Sequence, residues 1–342
     1  MAPIPAARRD IVVAGASAGG VEALRALAAS LPAGFPGHVL VVMHLPPGAR
    51  SALPLILDRA GPLRAVVARH GTRLVPGTIY VAPPDRHLLL ATDHLVLSRG
   101  PTENGHRPAI NALFRSAAVA AGPRTIGVVL TGVLDDGAAG LQAIAARGGV
   151  AVVQDPADAL YAGMPEAALR LTAADHVLPA TEMGDLLDKL VRQEVDPASA
   201  PPLTATLELE DRIARDGSSI DVHNPGDRGD MSGYTCPDCQ GALIEIAPDA
   251  NHYRCRVGHA WSAESLLAAQ VDELERALWT ALRSLDEKTG LARRMQADAH
   301  ERGHELLVER YRRSAEESSI AAEVLRRYLI SLNPPLDEEL VP

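Results

Sequence analysis

Short apolar runs alternate with helical patterns along the first half of the chain. "DIVVAG" (10–15) precedes "GVEALRALAASL" (20–31), and "HVLVVMH" (38–44) precedes "SALPLILDRA" (51–60). Further on, "TIGVVLTG" (125–132) precedes "DGAAGLQAIAARG" (136–148), and "VAVVQD" (150–155) follows. Strands buried on both faces read as unbroken Val/Ile/Leu runs, and strands alternating with helices build a parallel sheet. The pattern predicts a doubly wound α/β domain over residues 1–193. One stretch breaks the alternation. "HLLLATDHLVLSRG" (87–100) has two apolar runs joined by Thr92-Asp93, which predicts an antiparallel hairpin.

The period dissolves over 194–232, where Pro, Asp, Gly and Ser cluster, and the segment reads as a linker with some order around Thr204 to Ile213. Residues 233–262 contain every cysteine of the chain. From 263 to 333 the pattern is helical. Leu267, Val271, Leu274, Leu278, Ala281 and Leu285 form an a/d seam, and Ile320, Val324 and Tyr328 share a face of a second helix. Gly303 marks the turn between them. The favoured reading is a hairpin packed on itself or on the cysteine module. The sharper one is a pair that makes a homo-oligomer or binds a partner.

Composition narrows the picture. With 342 residues and 47% hydrophobic content, the chain can bury a sizeable core beside a smaller module. A net charge of −10 argues against nucleic acid as the main partner. No apolar run reaches membrane length, so no membrane insertion is expected. The opening "MAPIPAARRD" lacks the apolar core of a secretory signal. An odd count of 3 cysteines points away from a disulfide framework, and a reducing cytoplasm is the simplest setting.

Candidate chemistry gathers at the strand ends. Ser17 sits in G-x-S-x-G at a strand-to-helix junction, a turn that lifts a hydroxyl to the carboxyl edge of a sheet. The competing reading is the glycine-rich first turn of a nucleotide-binding fold. Its G-x-G-x-x-G fingerprint is not met, because Ser17 stands where the second glycine belongs. His44 follows the second strand run, and Asp135 and Asp136 follow a later one, all at the same predicted edge. Strand-end histidines are commonly surface residues and aspartates commonly cap helices. Three strand ends offering Ser, His and Asp to one edge argue for a nucleophile, base and orienting acid.

The segments "GASAGG", "VVMHLPP", "HRPAINALFRSAA", "LTGVLDDGAAGL" and "YAGMPEAAL" occur in one order, and together they resemble chemotaxis protein-glutamate methylesterases. The resemblance covers about residues 9–192. It implies a parallel α/β catalytic domain that hydrolyses glutamyl methyl esters on receptors and can deamidate receptor glutamines, with no cofactor for catalysis. It implies Ser17 as nucleophile, His44 as base, Asp136 rather than Asp135 as the acid, and the Val133 N–H in an oxyanion hole. Ala18 and Val133 depart from the family's usual Thr and Met. The signatures begin almost at Met1, so a stand-alone form without a receiver domain is expected. That opens the substrate to methylated signalling proteins other than chemoreceptors. A catalytically silent scaffold on the same α/β domain is the alternative.

The cysteine module carries C-x2-C, a spacer of 15 residues, then C-x3-H: Cys236, Cys239, Cys255 and His259. Three thiolates and an imidazole at that spacing suit a closed, structural zinc site. His252 is the second choice for the fourth ligand. The competing reading is three unrelated buried thiols.

Overall fold

The computed structural model describes residues 7–46, 48, 51–217, 229–247 and 252–332. The chain enters through a short strand, β1 (Ala7–Arg8), and then alternates: β2 (Ile11–Ala16), α1 (Gly20–Ser30), β3 (His38–Met43), α2 (Leu53–Ala60), β4 (Arg64–Val67) and β5 (Thr78–Val81). The expected hairpin follows as β6 (His87–Leu90) and β7 (Leu95–Ser98). Next come α3 (Ile110–Ala121), β8 (Thr125–Val129), α4 (Ala138–Ala146), β9 (Val150–Gln154), α5 (Gly163–Leu171), β10 (His176–Leu178), α6 (Met183–Leu190) and β11 (Glu194–Val195). The antiparallel pair β1–β11 ties the two ends of this domain together.

Seven strands form one parallel sheet in the order β10-β9-β8-β2-β3-β5-β4. Period-two alternation along each strand feeds two cores. Val12, Val39, Val128 and Val152 face α1 and α6 through Leu24, Leu27 and Leu187. Val13, Leu40, Val42 and Val153 face α3, α4 and α5 through Leu113, Leu141 and Ala168. Helices on both faces make the fold doubly wound, as expected. The order runs outward from β2 in both directions, so β2 is the switch point, and its carboxyl end opens into the crevice where such sheets hold ligands.

The segment expected as a linker contains α7 (Ala205–Asp216), with Thr204 as its N-cap and Gly217 as a left-handed C-cap. Leu209 and Ile213 pack with Ile244, and Ala214 packs with Leu89, Ala109 and Ala112. Its apolar stripe is short and interleaved with buried Glu210 and Asp211, so its packing face is hard to recognise without knowing their partners. Residues 218–228 of that segment lie outside the described residues. The cysteine module is a four-stranded antiparallel sheet: β12 (Asp230–Thr235), β13 (Ala242–Ala247), β14 (His252–Cys255) and β15 (Ala260–Ser262). Residues 1–266 form one compact unit that includes this module.

The second unit, residues 267–342, holds most of α8 (Ala263–Glu301) and all of α9 (Glu305–Leu332). Gly303 (φ 70°) turns the chain between them. Leu282, Ala322 and Leu329 are buried together, flanked by Leu278, Leu285 and Leu325. Of the C-terminal half of the expected seam, Leu278 and Leu285 flank this core, but Ala281 is exposed and Leu282 is the buried residue instead. The N-terminal half is not packed: Leu267, Val271 and Leu274 are exposed. Ile320, Val324 and Tyr328 are exposed as well, because α9 turns its Ala322–Leu325–Leu329 face to α8 instead. Among the described residues no helix is long and apolar enough to cross a membrane.

Candidate active site

Three parallel strands deliver Ser17, His44 and Asp136 to one edge. Ser17 follows β2, His44 follows β3, and Asp136 lies on the loop after β8. The Ser17 hydroxyl is 3.1 Å from His44 Nδ1. His44 Nε2 is 2.7 Å from Asp136 Oδ2 on the other side of the ring. With the proton on Nε2, the ring donates to Asp136 and accepts from Ser17.

Glycines let these elements close up. A Cβ on Gly15 would lie 2.2 Å from Ile110 Cγ2, so only glycine lets the start of α3 press against β2. That approach brings two N–H groups of α3 to the acid. Ile110 N–H donates to Asp136 Oδ2 (2.7 Å) and Asn111 N–H to Oδ1 (3.2 Å). A Cβ on Gly132 would lie 2.1 Å from Met164 Sδ and 2.9 Å from Ser17 Cβ, so the strand-end loop can pass beside the serine only as glycine.

Asp136 is 2% exposed. Burial pushes its carboxyl up, but the hydrogen bond and charge of His44, with the Ile110 N–H, hold it below the usual carboxylate range. It is a fixed anion. Asp135 points elsewhere: its Oδ1 accepts from Ser262 Oγ and Ser265 Oγ, each at 2.8 Å. Burial raises its pKa, against the two hydroxyl donors. Val133 lies on the same loop and is half exposed, and the next residue, Leu134, has a left-handed backbone (φ 61°). Among the described residues no acceptor takes the backbone N–H of Ala18 or Val133.

One group at the site escaped the sequence reading. The His106 ring stacks on His44 with centroids 3.7 Å apart and planes 15° from parallel. It lies within "HRPAINALFRSAA", a segment recognised as a signature without a role for its histidine. The two histidines, with Leu45, Pro46, Asp85, Thr102, Gly105 and Arg107, line a cleft of about 380 Å³. Burial and the charge of His44 push His106 down to about 4. Burial also lowers His87 and His252. A histidine kept neutral by the fold refuses protons that the unfolded chain accepts. Stability therefore falls as pH drops below about 6.5, the ordinary histidine value. For His106 the loss runs down to its folded value of about 4. Urea midpoints measured between pH 7 and 5 should decline, and His106→Phe should flatten the decline. An unchanged slope in that variant would remove His106 from the account.

The Cys/His cluster lies in the same unit. Cys236 Sγ and Cys255 Sγ stand 3.7 and 3.5 Å from His259 Nδ1, and Cys239 Sγ is 3.6 Å from Cys255 Sγ. All four ligand atoms lie within 4.8 Å of one another. The edges of a tetrahedron around zinc at ordinary Zn–S and Zn–N bond lengths are about 3.6–3.8 Å. The donor set and spacing thus fit a four-coordinate metal ion. His252 is not part of the group and faces Glu210 Oε1 at 3.3 Å.

A doubly wound sheet with hydroxyl, imidazole and carboxylate in line at its switch point defines an α/β protein with a candidate serine-hydrolase site. Residues 12–187 match the family model for CheB methylesterase, just over half of the chain, and the protein belongs to the CheB methylesterase family. It is 41% identical over 192 residues to protein-glutamate methylesterase/protein-glutamine glutaminase 2 of Methanosarcina mazei, across 54% of this chain and 52% of the relative. It is 42% identical over 186 residues to protein-glutamate methylesterase/protein-glutamine glutaminase 5 of Anaeromyxobacter dehalogenans, across 53% and 51%. The chain thus spans about half the length of the curated relatives it matches. The crystal structure of the Thermotoga maritima CheB methylesterase catalytic domain superposes with a TM-score of 0.52 at 34% identity, covering 53% of this chain and 98% of that one. The Cys/His cluster lies outside the region matched by the family model.

Proposed function

We propose that this protein is a serine esterase that removes methyl groups from glutamyl methyl esters of chemoreceptor-like signalling proteins, and deamidates glutamines at the same site. The observation that carries the reading is the unbroken line Ser17 Oγ, His44 Nδ1, His44 Nε2, Asp136 Oδ2, with both contacts within hydrogen-bond reach. The names of the two relatives support the choice of substrate.

The chemistry follows from the groups. His44 Nδ1 takes the Ser17 proton as the oxygen attacks the ester carbonyl carbon. The free N–H groups of Ala18 and Val133 are the donors for the oxyanion, each worth about 3 kcal/mol to the transition state. His44 returns the proton to the leaving methanol. It then activates a water that cleaves the acyl-serine and leaves a free glutamate. For a glutamine, the leaving group is ammonia. Asp136 stays ionised throughout and fixes the Nε2–H tautomer. The His106 ring covers one face of His44 and keeps bulk water from it.

Cys236, Cys239, Cys255 and His259 would hold a structural zinc ion, which supplies folding energy to the module and takes no part in ester cleavage. One zinc per chain is expected from elemental analysis of the purified protein. Cys239→Ser should lower the stoichiometry at least tenfold, and full zinc in that variant would refute the site. For the esterase reading, methanol release from methylated receptor membranes is the direct test. Release that is no faster than in buffer alone would refute it.

A further inference from the structure

The Cys/His module is laid against the walls of the candidate active site. Its last strand runs beside the backbone of the cleft segment: Ala260 N–H donates to the Thr102 carbonyl (3.1 Å), and Asn104 N–H donates to the Ala260 carbonyl (2.8 Å). Ser262 N–H donates to Asn104 Oδ1 (2.9 Å), which holds Asn104 in a left-handed turn (φ 51°). Asp238, on the knuckle between Cys236 and Cys239, accepts from the Thr102 hydroxyl at 2.6 Å. Arg254, beside Cys255 and fully buried, donates to Glu103 Oε1 (3.1 Å) and to the Gly258 carbonyl (2.6 Å). Glu103 is in turn gripped by Arg115 of α3. This one segment, Thr102–Arg107, carries the His106 ring that stacks on His44.

A second arm reaches the opposite side of the imidazole. Ser262, at the end of β15, and Ser265, in the first turn of α8 that continues directly from it, both donate their hydroxyls to Asp135 Oδ1. The next residue is Asp136, which holds the far nitrogen of His44. The module thus grips the segment over one face of His44 and the loop behind its Nε2. The module buries little by itself, with Leu243, Ile244, Tyr253 and Trp261 as its main buried apolar residues. So small a core needs a metal to stay ordered.

We propose that the Cys/His module is a brace for His44, with Asp238, Arg254, Ser262 and Ser265 as positioning residues, so that metal loading at Cys236, Cys239, Cys255 and His259 sets the turnover rate at Ser17. The rate arm rests on the esterase reading, and the structural arm does not. Loss of the metal loosens β15 and the knuckle. The Thr102–Arg107 segment then loses its backbone partners, and buried Glu103 loses Arg254. His106 and Asp136 sample positions away from His44, which costs turnover more than ground-state binding.

The test uses the full chain. Amide hydrogen exchange over residues 99–109 is compared in zinc-loaded protein, in chelated protein, and after Zn²⁺ alone is restored. Exchange in β2, β3 and β8 reports that the sheet stays folded. The brace predicts at least tenfold faster exchange at 99–109 on chelation, unchanged protection in the three strands, and recovery on zinc addition. Cys239→Ser should match the chelated state. The double variant Ser262→Ala/Ser265→Ala should keep its zinc yet lose about tenfold in kcat on a small methyl ester, with KM within about twofold. Ser262→Thr, which keeps the hydroxyl, should restore the rate when Ser265 is intact. Unchanged exchange on chelation, or full kcat in the double serine variant, overturns the proposal. If zinc-loaded wild type hydrolyses no ester, the esterase reading fails and the exchange result alone decides the brace.

Discussion

Ser17→Ala should lower kcat for ester hydrolysis by about 10⁶-fold, the loss seen when a serine nucleophile of a triad is removed. Among the described residues no other hydroxyl lies within hydrogen-bond reach of His44 Nδ1. The position is set by a turn in which Ser17 N–H donates to the Thr131 carbonyl (3.0 Å) and Gly20 N–H donates to the Ser17 carbonyl (2.9 Å). Those bonds use backbone atoms only, so alanine keeps the turn. The missing hydroxyl leaves His44 Nδ1 facing a gap that water can fill. The fold should therefore be intact, with an unchanged urea midpoint and a near-normal KM. Methanol release under saturating ester is the measurement. Turnover within a hundredfold of wild type would move the nucleophile elsewhere and undo the reading of the His44 line.

How much of this was legible beforehand depended on how far apart in sequence the interacting groups are. The strands carrying Ser17 and His44 are buried on both faces, so their Val/Ile/Leu runs identify them directly. β4 and β5 were harder. "RAVV" and "TIYV" are only four residues each, and Arg64 at an edge strand is exposed, so neither gives a long apolar run. Ser17, His44 and Asp136 could be placed at one edge because a parallel sheet sends every strand end the same way. The His44–His106 stack could not, since loop Thr102–Arg107 returns to the site through contacts with residues more than 150 positions away. The same holds for Glu210. A glutamate at that position of a helix reads as solvated, and only the fold brings Arg254 to it at 3.1 Å. The C-x2-C and C-x3-H pairs were legible as candidate ligands because each pair is local. That the cluster would sit beside the candidate active site was not, because nothing local in the sequence specifies how β15 docks.

The adjacent aspartates should separate cleanly. Asp136→Asn is expected to cost about 10⁴-fold in kcat, about 5.5 kcal/mol of transition-state stabilisation. Asp136 is acceptor-only, and three donors converge on it: His44 Nε2, Ile110 N–H and Asn111 N–H. A carboxamide has one acceptor oxygen. Whichever way it turns, its own N–H₂ meets at least one of those donors, and buried at 2% exposure that group finds no water. If the oxygen takes the Oδ1 place and accepts from Asn111 N–H, the amide at the Oδ2 place faces His44 Nε2 and selects the tautomer with the proton on Nδ1. That ring cannot accept the Ser17 proton. Asp135→Asn removes much less. Its Oδ1 accepts from two hydroxyls, a single carboxamide oxygen accepts from both, and the fold already raises the pKa of this carboxyl. Its loss should stay below about tenfold. Steady-state rates of the two variants on one methyl ester decide the matter. Equal losses, or a larger one at Asp135, would transfer the orienting role to Asp135 and require His44 to turn away from the carboxylate it now faces.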